Sequence, residues 1–288
     1  MSLTPVSAPP AAPPSTTLPA TAILGAGSMG GAILSGLLAP GVAVDGGIRV
    51  TNRTEQKAAL LRRNGVTSYA LESTPGANRD AVTGARIVVA AVKPAMVPDL
   101  LREIAPVLEP GAIVISVAAG VTLRTMESIV AGSVLRAMPN TPSTVRRGVT
   151  GLSAGSRADA DDVDTASALF GTVGEVLVVP EEQIDALSTI SGSGPAYVFL
   201  LIEELTAAAI GMGFTEAQAR LMVEQTFLGA SELLASSGDA PAELRRRVTS
   251  PKGTTERAVA VLQAADLTGL FSRATAAALA RAKELAAG

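Results

Sequence analysis

From Thr21 onward, short apolar runs alternate with longer segments whose apolar positions recur every three or four residues. The runs at 21–26 (TAILGA), 48–52 (IRVTN), 85–92, 112–118, 133–138, 149–154 and 175–179 are brief and rich in Val and Ile. Runs of that kind suit strands buried on both faces. Between them, Ser28–Leu38, Thr54–Arg63, 96–108 and 161–173 carry the helical period. Such alternation predicts βαβ units, and hence an α/β fold built on a doubly wound, mostly parallel sheet.

The pattern changes near Pro180. Beyond it no strand is expected. The segments 194–213, 214–236, 254–267 and 270–288 read as Ala-rich helices with long apolar faces. Pro195 sits where a first helical turn has no use for its missing N–H. Thr215 and Gln218 have capping-box spacing. Four or five such helices in a segment of this length make a thin core, so a homodimer built on this half is expected. The expected division is a disordered tail (1–20), a first domain (21–180) and an all-α dimerisation domain (181–288).

Composition removes several chemistries. The chain has 288 residues, no cysteine and no histidine. Disulfides, thiolate nucleophiles, thiolate metal sites and imidazole bases are therefore absent, and no metal site is expected. A formal charge of −3 gives no argument for nucleic acid. No uninterrupted apolar run approaches the ~20 residues of a membrane span. The Pro/Ala/Ser/Thr-rich start lacks the basic and apolar regions of a signal peptide, so a cytoplasmic protein is expected.

GAGSMG places Gly25, Gly27 and Gly30 in G-x-G-x-x-G register after a strand and at the head of a helix. There the glycines, with Ala26, Ser28 and Met29, would cradle a dinucleotide pyrophosphate on backbone N–H groups. The second strand ends in Asn52, Arg53 and Thr54 with no acid to accept from a ribose 2′-hydroxyl. Arg53 is either a fork for a 2′-phosphate, favouring NADPH with NADH possible, or a solvated arginine. Lys93 and Pro94 follow another strand, at the edge where such sheets bind ligands. Asn140 stands between two prolines, either as a rigid amide that orients a ligand or as a turn former. Ser250-Pro-Lys252-Gly253-Thr254-Thr255 precedes a helix, with Gly253 or Thr254 as N-cap. It is either a nest for a small anion or an ordinary helix start.

The stretches ILGAGSMGGAI, AVKP, SVAAGVT, RAMPNTP, SGSGPAY and VTSPKGTT, in this order, resemble pyrroline-5-carboxylate reductase. The likeness runs from Thr21 to about Glu284. It implies a Rossmann-type domain followed by a helical domain that interlocks two subunits, with dimers assembling further, often into decamers. It implies that Ser250, Lys252, Gly253, Thr254 and Thr255 hold a substrate carboxylate through N–H groups of 253–255, and that the Thr255 hydroxyl faces the ring nitrogen. Ala91, Val92, Lys93, Pro94, Ala118 and Asn140 would line the nicotinamide side. Two departures stand out: Lys252 replaces a glycine common in the family, and Ala240 stands where many members have histidine. Reduction of a cyclic imine suits a chain without imidazole, because an iminium needs a positioned hydride more than a strong acid. Thr255 would orient and relay, with water supplying the proton. The rivals are a reductase of another cyclic imine and a non-catalytic NADPH sensor.

Overall fold

A computed structural model describes residues 16–287, with side chains as far as Glu284. The expectation for residues 1–15 lies outside the described residues. The chain divides into two compact units. One runs to Gly192 and includes Ala282 onward, and the other is Ser193–Arg281.

The first unit is an eight-stranded sheet. Its strands are β2 (Thr21–Leu24), β4 (Ile48–Asn52), β5 (Val66–Ala70), β6 (Ile87–Ala90), β7 (Ile113–Ser116), β8 (Ser133–Met138), β9 (Gly148–Ala154) and β10 (Gly174–Val178). The order is β10-β9-β8-β7-β6-β2-β4-β5, and every pair is parallel except β8 with β9. The direction of winding reverses between β2 and β6, which opens a crevice at their carboxyl ends.

Alternate residues of each strand feed two cores. Ile23, Val50, Val89, Ile115 and Leu135 pack with residues of α1 (Ser28–Leu37) and α6 (Ala160–Gly171) on one face. Ala22, Leu24, Val88, Ala90 and Val114 pack on the other with α3 (Ala77–Val82), α4 (Val97–Ile104) and α5 (Leu123–Glu127). Both faces are covered, so the strands read as continuous apolar runs.

Three strands depart from expectation. Thr16–Leu18 (β1), assigned above to a tail ending at 20, pairs in parallel with Val42–Val44 (β3). Leu18 is 2% exposed, which accounts for its ordering. Neither β3 nor β5 was expected. The inward residues of β5 are Val66, Ser68 and Ala70, too small and polar to make an apolar run.

The helical style begins at α7 (Glu181–Leu187), yet the first compact unit continues to Gly192. Arg136 of β8, 4% exposed, explains this: its Nη2 meets Asp185 at 2.5 Å and its Nη1 meets Glu181 at 3.5 Å. Ile184 is fully buried beside them. A one-turn π-helix, Ser188–Gly192, follows. By length and composition the stretch Glu181–Gly211 could cross a membrane, although Glu203 and Glu204 interrupt its apolar run, and only 6% of its apolar window is buried.

The second unit comprises α8 (Gly194–Gly211), α9 (Glu216–Ser237), α10 (Pro241–Arg247), α11 (Thr254–Ala264) and most of α12 (Leu267–Ala287). The capping box of Thr215 and Gln218 forms on α9 as the spacing predicts. Among the described residues of this unit, the buried apolar side chains are Ala209 of α8 and Ala219 and Val223 of α9. Val198, Phe199, Leu200, Leu201, Leu205 and Ile210 of α8 remain exposed.

Candidate functional site

The glycine turn sits between β2 and α1, against the loops that leave β4 and β6. Gly25 has φ +91°, and a Cβ there would lie 2.9 Å from the Ala91 carbonyl oxygen and 2.9 Å from Val92 Cγ1. A side chain at Gly30 would meet the Gly25 carbonyl oxygen at 2.6 Å, so the helix approaches the turn too closely for one. At Gly27 nothing lies within 4 Å, and Gly27 and Ser28 are exposed. The turn is braced from β4: the Gly25 N–H donates to the Thr51 hydroxyl at 3.2 Å, and the Ala26 N–H donates to the Thr51 carbonyl at 2.9 Å. No side chain caps α1, so its first N–H groups face open space at the crevice.

These features fit a dinucleotide. The open side of Gly27 admits a pyrophosphate, and the uncapped helix end favours negative charge. Asn52 adds an independent sign. It is 5% exposed, and its Nδ2 is a buried donor without a partner. A buried orphan donor costs about 1–3 kcal/mol. A ribose hydroxyl or phosphate oxygen would satisfy it. Arg53 is exposed and makes no ion pair among the described residues. Thr54 is the N-cap of α2 (Glu55–Leu61), but its hydroxyl does not cap. That duty falls to Glu72, two residues past β5, whose carboxylate accepts from the Glu55 N–H at 2.7 Å. Sequence reasoning missed Glu72 because it missed the strand that delivers it.

At the next strand, Ala91 and Val92 are half-buried against Gly25, while Lys93 and Pro94 are exposed and open a 3-10 turn. Ala118 is buried, its N–H donating to Ser116 Oγ at 3.3 Å. Asn140 is more committed than a free ligand contact. Its Oδ1 accepts from the Val149 N–H at 2.8 Å, and its Nδ2 donates to the Ser191 carbonyl at 2.8 Å. Pro195, four residues beyond Ser191, has no N–H to offer that carbonyl, and Asn140 supplies the missing donor. One Nδ2 hydrogen and one Oδ1 lone pair remain for anything else. Clefts of about 590 Å³, beside Arg124, Ser153 and Pro180, and about 540 Å³, beside Arg49 and Asn64, contain none of the expected residues.

The expected substrate loop lies in the second unit, and its geometry is described by itself. Gly253, not Thr254, is the N-cap of α11, with φ −81° and ψ 172° and no side-chain cap. The Gly253 N–H donates to the Ser250 carbonyl at 3.0 Å, so it closes the turn and does not point at a ligand. The N–H groups of Thr254 and Thr255 are left to the helix end, without side-chain caps. Lys252 has φ +59°, a left-handed conformation that favours glycine. Its N–H donates to Glu256 Oε2 at 2.8 Å, a contact that the spacing reading overlooked. The described residues hold no cluster of acids that could bind a metal.

Comparison with known proteins identifies both halves. Residues 181–285 match the family model of pyrroline-5-carboxylate reductase dimerisation, and residues 20–120 match one for coenzyme F420-dependent NADP oxidoreductases. The helical unit is therefore a dimerisation domain, which supports a homo-oligomer. A pyrroline-5-carboxylate reductase of Pseudomonas aeruginosa is 42% identical over 73% of this chain and 78% of its own. The structure of a pyrroline-5-carboxylate reductase from Coxiella burnetii superposes with a TM-score of 0.85 at 40% identity, over 92% of this chain and 97% of that one. The pyrroline carboxylate reductase of Plasmodium falciparum with NADP bound shares the fold at a TM-score of 0.76 and 24% identity, over 92% and 97%. With a relative this similar over this much of its length, and the dimerisation match alongside, the chain belongs to the pyrroline-5-carboxylate reductase family, whose members are NAD(P)H-dependent oxidoreductases.

Proposed function

We propose that this chain reduces 1-pyrroline-5-carboxylate to L-proline at the expense of NADPH, with the substrate carboxylate held by the loop Ser250–Thr255. The observation that carries the substrate reading is the start of α11. It has an uncapped helix end, a glycine N-cap, and Lys252 beside it as a cation. A carboxylate there would gain the N–H groups of Thr254 and Thr255, the helix dipole and the ammonium charge. Gly253 shapes the turn, and its own N–H is occupied.

The cofactor, when bound, supplies the hydride to the imine carbon. The residues Gly25 to Gly30 would hold its pyrophosphate, and Asn52, Arg53 and Thr54 its adenosine ribose. NADPH is favoured over NADH because Arg53 is free to take a phosphate and β4 ends without an acid. The residues Ala91 to Pro94 and Ala118 would flank the nicotinamide, with Asn140 bracing that edge. The Thr255 hydroxyl would hydrogen-bond the ring nitrogen, orienting the imine and passing it a proton drawn from water. With no imidazole in the chain, the rate comes from positioning and from the field of the loop. The protein would act in the cytoplasm as a homodimer through its helical unit, with dimers assembling further into a decamer.

The deciding measurement is NADPH oxidation by the purified protein with pyrroline-5-carboxylate, run beside NADH and a six-membered cyclic imine acid. Fast turnover with the five-membered acid is expected. Turnover only with the larger ring would move the assignment to another imine reductase. NADPH binding with no turnover on either would favour a sensor. Thr255→Ala should then lower kcat about 10- to 100-fold while the Kd for NADP+ stays unchanged.

A further inference from the structure

We propose that Glu72 sets the cofactor selectivity of this chain, supplying from the end of β5 the acid that β4 lacks and opposing a 2′-phosphate. The inference rests on the reading that Asn52–Thr54 face the adenosine ribose. β4 and β5 run in parallel with Asn52 opposite Ala70. Past the strand ends the two chains stay joined: the Leu71 N–H donates to the Asn52 carbonyl at 2.9 Å, and the Glu72 N–H donates to the Arg53 carbonyl at 3.1 Å. Glu72 is thereby fixed beside Arg53. Its carboxylate occupies the N–H of Glu55 in the first turn of α2. A 2′-phosphate held by Arg53 would therefore lie close to the Glu72 carboxylate.

The neighbouring charges sharpen the point. Glu55 is paired with Arg62, whose Nη2 lies 3.0 Å from Oε2, and that bond holds the Glu55 carboxyl below its usual range. Glu72 has no ion pair among the described residues, so its charge is the uncompensated one. A phosphate monoester at this place carries about 1.5 to 2 negative charges near neutral pH, and Glu72 repels it. A ribose 2′-hydroxyl, by contrast, can donate to the same carboxylate. Arg53 and Glu72 therefore pull selectivity in opposite directions, and the chain would accept NADH more readily than its strand-end residues suggest.

The test measures the Kd of NADP+ and of NAD+ by calorimetry on the full-length protein, with Glu72→Gln, Glu72→Lys and Arg53→Ala, and with 2′,5′-ADP as a probe of the phosphate alone. Glutamine keeps an acceptor for the Glu55 N–H, so α2 retains its cap. Removal of one charge next to the phosphate should raise the preference for NADP+ over NAD+ about tenfold. Glu72→Lys should raise it further, and 2′,5′-ADP should tighten in step. Arg53→Ala should weaken NADP+ and the probe with NAD+ little changed. If the preference of both Glu72 variants stays within about twofold of the parent while Arg53→Ala weakens NADP+, Glu72 is only a helix cap and the proposal is overturned. If Arg53→Ala also leaves NADP+ binding unchanged, the adenosine reading itself fails and this inference falls with it.

Discussion

Gly25 and Lys252 both adopt positive φ, yet they answer to different pressures. At Gly25 the backbone needs φ +91° and has the Ala91 carbonyl 2.9 Å from any added Cβ. Gly25→Ala should therefore cost about 1–3 kcal/mol and weaken dinucleotide binding, because relief requires the turn to move off β6. Thermal melts with and without NADP+ read both effects. Lys252 bears its φ of +59° with a full side chain, supported by the bond from its N–H to Glu256. Lys252→Gly should raise stability by about 0.5–1 kcal/mol, since the left-handed region costs glycine nothing sterically. The same change should raise the KM for pyrroline-5-carboxylate about threefold by removing a cation near its carboxylate. A variant that gains stability and loses substrate affinity would mark Lys252 as a functional replacement of the family's glycine. A fall in both would show that its side chain holds the loop. At this scale the glycine turn and the glycine N-cap of α11 were legible because fixed backbone needs select fixed residue types. Glu72 and Glu256 were not, because each acts through a contact that sequence spacing does not encode.

At the scale of elements, helix α6 shows what a cap contributes. Asp159 and Asp162 form a reciprocal box at its start, and Asp162 also bonds Arg86 at 2.8 Å across the sheet. Burial alone would raise the Asp162 pKa, but the Arg86 and Asp159 N–H bonds outweigh it and hold the carboxyl below its usual range. A depressed folded pKa means stability present above the unfolded value, about 3.9, and lost as pH falls through the folded one. Asp162→Asn should thus cost about 1 kcal/mol at pH 7, a modest figure because Arg86 is 38% exposed. Its deficit should shrink below about pH 4, where the parent loses the same charge. Denaturant melts at pH 7 and pH 3.5 check this; a deficit equal at both would assign the effect to packing. Elements buried on both faces were readable from their apolar runs, as β6 and β7 illustrate. Strand β5 was hidden because Ser68 and Ala70 face inward, and β1 because three residues in a Pro/Thr-rich segment carry no period. The π-turn at Ser188–Gly192 was hidden for another reason. It depends on Asn140, about 50 residues away, satisfying a carbonyl that Pro195 leaves without a donor.

For the whole molecule, the exposed apolar residues of α8 bear on the assembly. Val198, Phe199, Leu200, Leu201 and Leu205 form an apolar surface on a helix long enough to invite a membrane reading. The dimerisation match over residues 181–285 includes this helix, and its exposed apolar surface agrees with the thin core expected from the Ala-rich helices. Phe199 is 61% exposed on a helix of 18 residues. Its burial against a partner would contribute about 1.5–3 kcal/mol per copy. In a two-fold interface every substitution is made twice, so Phe199→Glu should cost at least about 3 kcal/mol and weaken dimerisation more than about a hundredfold. Light scattering after size exclusion should give the monomer mass at micromolar concentration, with NADPH oxidation falling in proportion to the lost dimer. A variant that stays dimeric would place the two-fold contact on another face of the helical unit. A variant that is monomeric yet fully active would show that one copy of this chain holds a complete site.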